Sequence, residues 1–274
     1  MSNTPELVLV GGGNMGSALV GGLVASGMDP RTITVVEIDA AKRSDLAARF
    51  GVVTSAGIVA GRGAVIAVKP ADAPAAAASL ATAGTPRLLS IAAGVTLAVL
   101  QEASGASCAV VRAMPNTPAL VGEGVTAIAA GATCTEDDLA WAESTLRAVG
   151  VVVRVPEGQM DAVTAVAGSG PGYLFLFAEA LIDAAVEEGL PRATAEILVR
   201  QLFRGSGGLL ASSDDQPSVL RERVTSPNGT TFAGLSVLES DGLRASVHKA
   251  VSAAARRSAE MAVETASKIG RAHV

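Results

Sequence analysis

Three glycines near the start of the chain carry the clearest chemical signal in the sequence. Gly11, Gly13 and Gly16 form a Gly-x-Gly-x-x-Gly pattern after the apolar run Leu7–Val10 and ahead of a predicted helix that ends near Ser26. In such a turn the first glycine permits a tight bend, the second lets the backbone approach a pyrophosphate, and the third allows close packing of helix on strand. The N–H groups of the helix start would bind phosphates. The pattern therefore predicts a dinucleotide site.

Glu37 lies at the end of the second predicted strand, Ile33–Ile38, and 21 residues after Gly16. A carboxylate at this place accepts hydrogen bonds from the adenosine ribose hydroxyls, which favours NAD and disfavours the additional phosphate of NADP. Lys42 and Arg43 follow closely, however, and either cation would pair with that phosphate. The residues alone leave the choice between NAD and NADP open.

Three later strands are each followed by a segment suited to a ligand. Open α/β sheets bind ligands at the carboxyl ends of their strands. Small residues there admit a flat ring, and a lysine offers a charge. Each segment alone would also fit an ordinary turn, but three that face one edge favour a cofactor crevice. The segments are Lys69–Pro70, Ala92–Gly94 and Arg112–Pro118.

A fourth segment, Val224–Thr231, precedes an apolar helical stretch at Phe232–Leu238. Its Pro-Asn-Gly turn exposes N–H groups at a predicted helix start, beside several hydroxyl side chains. A helix N-terminus of this kind is a ready site for a carboxylate. The alternative is a Ser/Thr N-cap that binds no ligand.

Composition argues against several classes of protein. The 274 residues carry a formal net charge of −5 and no basic stripe, so we expect no nucleic-acid partner. The two cysteines (Cys108 and Cys134) and two histidines (His248 and His273) form no ligand-spaced cluster, so we expect no metal. The uncharged stretch Leu7–Met28 is rich in glycine and follows no Lys or Arg. We therefore expect no membrane span and no signal peptide, and we predict a cytoplasmic protein.

The first half of the chain alternates short β-rich runs with helical patterns. This alternation predicts an α/β fold with a parallel sheet covered on both faces. The predicted helices between the strands include Ala40–Phe50, Ala73–Ala83, Thr96–Ala103 and Glu136–Val149. The predicted strands are Leu7–Val10, Ile33–Ile38, Ala64–Val68, Arg87–Ile91, Cys108–Arg112, Gly124–Ala130 and Val151–Val155.

Convincing strands disappear after about Pro156, so we predict two domains, residues 1–156 and 157–274. The helix predicted at Pro171–Glu188 has one narrow polar stripe and is apolar around the rest of its circumference, so it must be buried almost all round. A domain of this size has little interior, and we infer that a subunit interface covers part of the helix. Arg192–Phe203 and Leu243–Ile269 are further predicted helices.

Together these segments resemble the pyrroline-5-carboxylate reductases, which make proline. The resemblance runs in order along nearly the whole chain, and Thr225–Thr231 is among its most specific parts. It implies an N-terminal Rossmann domain, with a doubly wound and mostly parallel sheet, and a C-terminal all-α dimerisation domain. It also implies NADPH or NADH as cofactor and intertwined homodimers, often assembled into decamers. The matching segments are Gly11–Gly16, Ala67–Pro70, Ser90–Val95, Arg112–Pro118, Asp161–Tyr173 and Leu220–Glu239.

The resemblance also implies roles for individual residues. The residue matching Thr231 hydrogen-bonds the ring nitrogen of the substrate, while Ser226 and the N–H groups of Gly229 and Thr230 hold its carboxylate. Glu157 matches a residue near the substrate. The expected cofactor-binding residues are Gly11, Gly13, Asn14, Met15, Gly16, Glu37, Val68, Lys69, Pro70, Ala92, Ala93 and Asn116.

Two residues depart from the family's pattern, and both bear on cofactor preference. Glu37 falls where many relatives carry a small or hydroxyl residue that suits NADP. Arg223 replaces an Asn that contacts the cofactor in some relatives. The expectation is therefore NADPH or NADH, with no preference assigned.

The implied reaction is hydride transfer from the nicotinamide to the C=N carbon of Δ1-pyrroline-5-carboxylate, which gives L-proline in the last step of its biosynthesis. No His or Cys is well placed as an acid, so we expect Thr231 to orient the nitrogen and donate to it. One alternative is a reductase of another imine or of a hydroxy acid, which would usually need a Lys or His in the helical domain. There Lys249 and Lys268 lie outside any obvious motif. Another alternative is a non-catalytic dinucleotide-binding regulator.

Overall fold

The computed structural model describes residues 4–105 and 108–272, and the side chains of this range up to residue 266; His273 lies outside it. The described residues pack into two compact units. One comprises those of Met1–Ser169 and Ala254–Val274, and the other is Gly170–Ala253. The domain boundary between residues 156 and 157 stays a prediction.

Eight strands form a single sheet in the first unit: β1 (Leu7–Val10), β2 (Ile33–Val36), β3 (Val53–Ser55), β4 (Ala64–Ile66), β5 (Arg87–Ser90), β6 (Ala109–Met114), β7 (Gly124–Ala130) and β8 (Gly150–Arg154). Their order across the sheet is β3-β2-β1-β4-β5-β6-β7-β8. All neighbours pair in parallel except β6 and β7, which are antiparallel. The predicted doubly wound, mostly parallel sheet is confirmed.

Two features of the sheet differ from the sequence prediction. β3 is an edge strand of three residues without a buried side chain, so it has no apolar run that would predict it. β7 runs antiparallel to β6 because only the short turn Thr117–Val121 joins them. A parallel return would need a crossover connection of a dozen or more residues.

Alternation along β1 divides the core into two clusters. Leu7 and Leu9 face one side of the sheet, while Val8 and Val10 face the other, because successive strand residues point to opposite faces. α1 (Asn14–Ala25), α2 (Ala40–Phe50) and α5 (Glu136–Arg147) cover the first side, and α3 (Ala73–Thr82), α4 (Leu97–Ser104) and α6 (Met160–Val163) cover the second.

The second unit is helical. It contains α7 (Gly170–Glu187), α8 (Arg192–Ser212), α9 (Pro217–Arg223), α10 (Thr230–Ser240) and the first turns of α11 (Leu243–Ala272). α8 continues well past the predicted end at Phe203 despite three glycines, and α9 was not among the predicted helices.

No residue of α7 is buried within the chain, and Leu174, Phe175, Leu176 and Phe177 are all exposed. Within a single chain the helix is therefore not buried all round. α8 packs against part of it, with the ring centroids of Phe177 and Phe203 6.3 Å apart, and the rest of its apolar surface is exposed, as the subunit interface inferred from the sequence requires. Among the described residues, Glu157–Glu187 is also the one stretch that is long and apolar enough to cross a membrane, by length and composition only.

Candidate active site

The glycine turn between β1 and α1 has the geometry that a dinucleotide needs. Gly11 has a φ of +105°, and a Cβ there would lie 2.6 Å from the carbonyl oxygen of Ala67. A Cβ on Gly16 would lie 2.2 Å from the carbonyl oxygen of Gly11, so close packing requires both glycines. Gly13, by contrast, has open space where its Cβ would be. It is the N-cap of α1, and no side chain caps the helix, which leaves the first-turn N–H groups available to an anion.

Glu37 directly follows β2 and faces the glycine turn. Its Oε2 accepts a hydrogen bond from the N–H of Gly12 at 3.0 Å, and its Oε1 accepts one from the N–H of Asp39 at 3.0 Å. Burial works to raise the pKa of this carboxyl, but the two N–H donors and the charge of Lys42 outweigh burial and hold the pKa below its usual range. Glu37 is therefore a fixed negative charge at neutral pH.

Arg43 is bonded to the backbone at this strand end. Its Nη1 donates to the carbonyl oxygens of Glu37 at 2.7 Å and Ile38 at 2.9 Å. The guanidinium is thus anchored at the end of β2, beside a carboxylate of opposite charge. Glu37 and Arg43, two of the three charged groups on which the sequence left the cofactor preference open, therefore lie together here, and the charge of the third, Lys42, also acts on Glu37.

The strands β1, β4, β5 and β6 are neighbours in the sheet, so their carboxyl ends lie side by side. Val68 and Lys69 follow β4, and Ala92 and Ala93 follow β5. The neighbours of β1 are β2 and β4, and the connections diverge there to the two halves of the sheet, which is the switch point where open α/β folds bind ligands. The residues expected to bind the cofactor in these segments therefore share one edge.

Asn116 is buried, and both its amide nitrogen and its amide oxygen form hydrogen bonds within the protein. Its Oδ1 accepts from the N–H of Val125 at 2.9 Å, and its Nδ2 donates to the carbonyl oxygen of Ala167 at 3.1 Å. Ala167 lies in a π-helical turn, Thr164–Gly168, where the wider winding frees a carbonyl from the helix ladder. The side chain of Asn116 thus joins the end of β6, β7 and this turn.

Glu157 forms a partly buried network with two partners. Its Oε1 accepts from Nη1 of Arg112 at 2.9 Å and from the N–H of Leu97 at 2.7 Å. Arg112 is on β6 with its side chain only 8% exposed, and Leu97 is the first residue of α4. The carboxylate therefore neutralises a buried guanidinium and satisfies a free donor at a helix N-terminus.

Sequence reasoning did not find the partner of Arg112. A charged residue at the end of an apolar run is the available signal, because a buried guanidinium needs a carboxylate. The distance of 45 residues between Arg112 and Glu157 gives no local pattern from which to choose that carboxylate.

The turn before α10, in the second unit, is built around its glycine. Asn228 has a φ of +60°, and a Cβ on Gly229 would lie 2.3 Å from Oγ of Ser226. Gly229 is the N-cap, and no side chain caps the helix, so the alternative of a Ser/Thr N-cap is not observed. Within the described part of the chain, the hydroxyls of Ser226, Thr230 and Thr231 show no hydrogen bond.

This turn leaves first-turn N–H groups and exposed hydroxyls together at the positive end of a helix dipole, which suits an anion. Nearby, Arg223 is occupied by an ion pair with Asp215.

The chain matches known families in both halves. Residues 157–261 match a family model described as pyrroline-5-carboxylate reductase dimerisation. Residues 6–94 match a model described as NADP oxidoreductase, coenzyme F420-dependent.

Individual relatives match along almost the whole chain. The pyrroline-5-carboxylate reductase of Synechocystis sp. is 43% identical over 262 residues, covering 93% of this chain and 98% of the relative. That of Pseudomonas aeruginosa is 40% identical over 272 residues, covering 95% and 98%.

Solved structures of named pyrroline-5-carboxylate reductases also match the chain. A pyrroline-5-carboxylate reductase from Coxiella burnetii superposes with a TM-score of 0.90 at 38% identity, covering 94% of this chain and 98% of the other. A pyrroline carboxylate reductase from Plasmodium falciparum with NADP bound has a TM-score of 0.80 at 29% identity, covering 95% and 99%. With this identity maintained over nearly the full length of both chains, the chain belongs to the pyrroline-5-carboxylate reductase family.

Proposed function

We propose that the chain reduces the C=N bond of Δ1-pyrroline-5-carboxylate with NADPH or NADH and releases L-proline. The hydride goes to the ring carbon of the C=N bond, and the nitrogen ends as an amine with a proton from a donor or from solvent. The observation that carries this proposal is the full-length match to relatives of that name, 43% identical over 93% of the chain.

The residues of the first unit fit a dinucleotide. Gly13 leaves space for the pyrophosphate, and the start of α1 supplies uncapped N–H groups. The bound nicotinamide supplies the hydride. We assign the cofactor to the glycine turn and the adjoining strand ends, with the contacts made by Gly11, Gly13, Asn14, Met15, Gly16, Glu37, Val68, Lys69, Pro70, Ala92, Ala93 and Asn116.

Asn116 is one of the residues assigned to the cofactor, and its side chain already has two partners in the protein. Because Oδ1 bonds Val125 and one N–H of Nδ2 bonds Ala167, a second amide N–H remains, and we propose that Asn116 contacts the cofactor through this N–H or through its backbone. The side chain then holds the strand end in place.

We assign the substrate to the turn before α10. Ser226 and the N–H groups of Gly229 and Thr230 hold the carboxylate at the positive end of the helix. Thr231 donates its hydroxyl to the ring nitrogen as it becomes an amine. No histidine or cysteine has a part in this proposal.

Glu157 has a structural role that is independent of any ligand, because it binds Arg112 and the N-terminus of α4. Its side chain is 34% exposed, so one face of the carboxylate stays open to a ligand. We keep its proposed place near the substrate on that ground.

The dimerisation match accounts for the exposed apolar surface of α7. A second copy would cover Leu174–Phe177, and the same burial gives the apolar stretch Glu157–Glu187 a role other than crossing a membrane. We propose a cytoplasmic homodimer, with a decamer as the larger assembly and without nucleic-acid or membrane partners.

The test is oxidation of NADPH and of NADH, measured in parallel with pyrroline-5-carboxylate while proline is quantified. Thr231→Ala should lower kcat by on the order of 10²–10³, because a positioned donor is lost, and Thr231→Ser should retain most of the rate. Ser236→Ala is the matched control, since this hydroxyl on the same helix only bonds the carbonyl of Phe232. Cofactor binding without proline formation would contradict the proposal.

A further inference from the structure

The C-terminal half of α11 belongs to the same compact unit as the sheet. Ser258 is the buried polar residue of this segment among the described residues, with 8% of its surface exposed. Its Oγ donates to Oδ1 of Asp161 at 2.7 Å, across 97 residues of sequence. The bond links α11 to α6, and because Ser258 is buried, the loss of its partner is costly.

One turn further on, α11 passes over the loop that follows β5. A Cβ built on Gly94 would lie 3.8 Å from Oγ1 of Thr265 and 3.9 Å from backbone atoms of Met261 and Ala262. These are ordinary packing distances, so the helix backbone is in contact range of the glycine. Gly94 has a φ of +72°, a conformation that other residues rarely adopt. The conformation of the loop thus depends on Gly94, and α11 covers the loop.

The other end of the hydrogen bond lies in an element of the same core. Met160, next to Asp161, is 1% exposed and belongs to the core cluster that contains Ala92, Val95 and Leu97. The turn Glu157–Gln159, which leads directly into α6, is bonded to the end of this segment, since Oε1 of Glu157 accepts from the N–H of Leu97. The Ser258–Asp161 bond therefore joins two elements that both contact the segment from Ala92 to Leu97, α6 through the preceding turn and α11 through Met261–Thr265.

We propose that Ser258 is a positioning residue for cofactor binding. Through Asp161 it fixes the C-terminal half of α11 against the Ala92–Gly94 loop, so that the loop keeps the shape that receives the dinucleotide. The inference rests on the proposed function in one respect, the assignment of Ala92 and Ala93 to the cofactor. It adds that residues far along the chain from the glycine turn set the affinity for the dinucleotide.

The experiment measures the Kd of NADPH and NADH by fluorescence titration of the full chain, without imine. Ser258→Ala should raise the Kd of both cofactors about fivefold to tenfold, the value of one buried hydrogen bond. Ser258→Thr keeps the hydroxyl and should restore the affinity, and Ser258→Cys, a weaker donor, should fall between. Ser252→Ala on the same helix, in the other unit, is the control and should bind as the unmodified chain does.

Steady-state kinetics separate positioning from general damage. The KM for the cofactor should rise with its Kd in Ser258→Ala, while kcat at saturating cofactor should stay within about twofold of the unmodified value. An unchanged Kd, or a fall in kcat with Kd unchanged, would overturn the inference. If Ser258→Ala does not fold, the comparison rests on the other two variants. The positioning role then predicts that the unmodified chain and Ser258→Thr bind the cofactor more tightly than Ser258→Cys, and equal affinities would overturn it.

Failure of this inference is distinguishable from failure of the proposed function. An unmodified chain that binds dinucleotide but forms no proline refutes the reaction, and the Kd values of the Ser258 variants still decide the role of that residue. An unmodified chain that forms proline, with a Ser258→Ala variant of unchanged Kd, refutes the positioning role alone.

Discussion

Replacing Glu157 with glutamine should destabilise the protein markedly, because Arg112 is buried and depends on this carboxylate. The guanidinium side chain is 8% exposed, and its Nη1 lies 2.9 Å from Oε1 of Glu157. Glutamine keeps the size of the side chain and one acceptor oxygen but removes the charge. The variant therefore leaves a buried cation without a counter-ion while changing little else.

The size of the effect follows from the burial of the two partners. Breaking a fully buried pair costs about 3–5 kcal/mol. The Glu157 side chain is 34% exposed, so solvent screens part of the interaction, and the retained oxygen still bonds Leu97 or Arg112. We expect a loss of about 2 kcal/mol, which lowers the melting temperature by about 4–8 °C for a chain of this size.

Thermal unfolding by circular dichroism measures this loss. The control is Asp45→Asn, which removes a surface pair with Arg49 whose side chains are 55% and 58% exposed, and it should cost at most about 0.5 kcal/mol. The double variant Arg112→Met with Glu157→Gln should recover part of the stability, because no unpaired charge remains. A melting temperature of Glu157→Gln within about 1 °C of the unmodified chain would refute the reasoning.

Three further outcomes are expected. Glu37→Gln should raise the ratio of NADPH to NADH turnover about tenfold, because it removes one fixed negative charge at a partly exposed site. The control Asp45→Asn should leave this ratio unchanged. An unaltered ratio in Glu37→Gln would show that the carboxylate does not select the cofactor. Leu176→Asp should produce monomers in analytical ultracentrifugation, because a charge in an apolar interface is unpaired, and an intact dimer would place the interface elsewhere. Burial, together with the nearby Cys134, raises the pKa of Cys108 from 9.0 to about 11. The contribution of this buried thiol to the free energy of unfolding is therefore present below pH 9 and is lost as the pH rises towards 11. Iodoacetamide should label Cys108 slowly in the native protein at pH 8 and rapidly in urea, and fast labelling of the native protein would contradict the burial of Cys108.

Local pattern was sufficient for most of the first unit. Leu7–Val10 is a strand as predicted because a short apolar run bounded by glycine has few other solutions, and Gly11 and Gly16 take the places that close packing allows only to glycine. The antiparallel β7 was not foreseen, since strand direction depends on how far the intervening turn carries the chain. The short connection between the two strands was the available signal, because a parallel crossover needs a dozen or more residues.

The segments that form the candidate site could be predicted from the sequence, but many of the contacts that hold them together could not. Hydroxyls and a Pro-Asn-Gly turn before α10 indicate an anion site from sequence alone. The bond of Asn116 to Ala167 is not predictable in this way, because it depends on the freed carbonyl of a π-helical turn 51 residues away. The same holds for Ser258 and Asp161, whose contact exists only once α11 has returned to the sheet.

The most direct test of the reduction follows the hydride itself. NADH and NADPH that carry deuterium at both hydrogen positions of nicotinamide C4 are incubated with the protein and pyrroline-5-carboxylate, and the proline is analysed by mass spectrometry. Transfer to the C=N carbon predicts proline that carries a single deuterium, on the ring carbon that is bonded to nitrogen and does not carry the carboxylate. Unlabelled proline, or consumption of the cofactor without proline, would contradict direct hydride transfer to the imine.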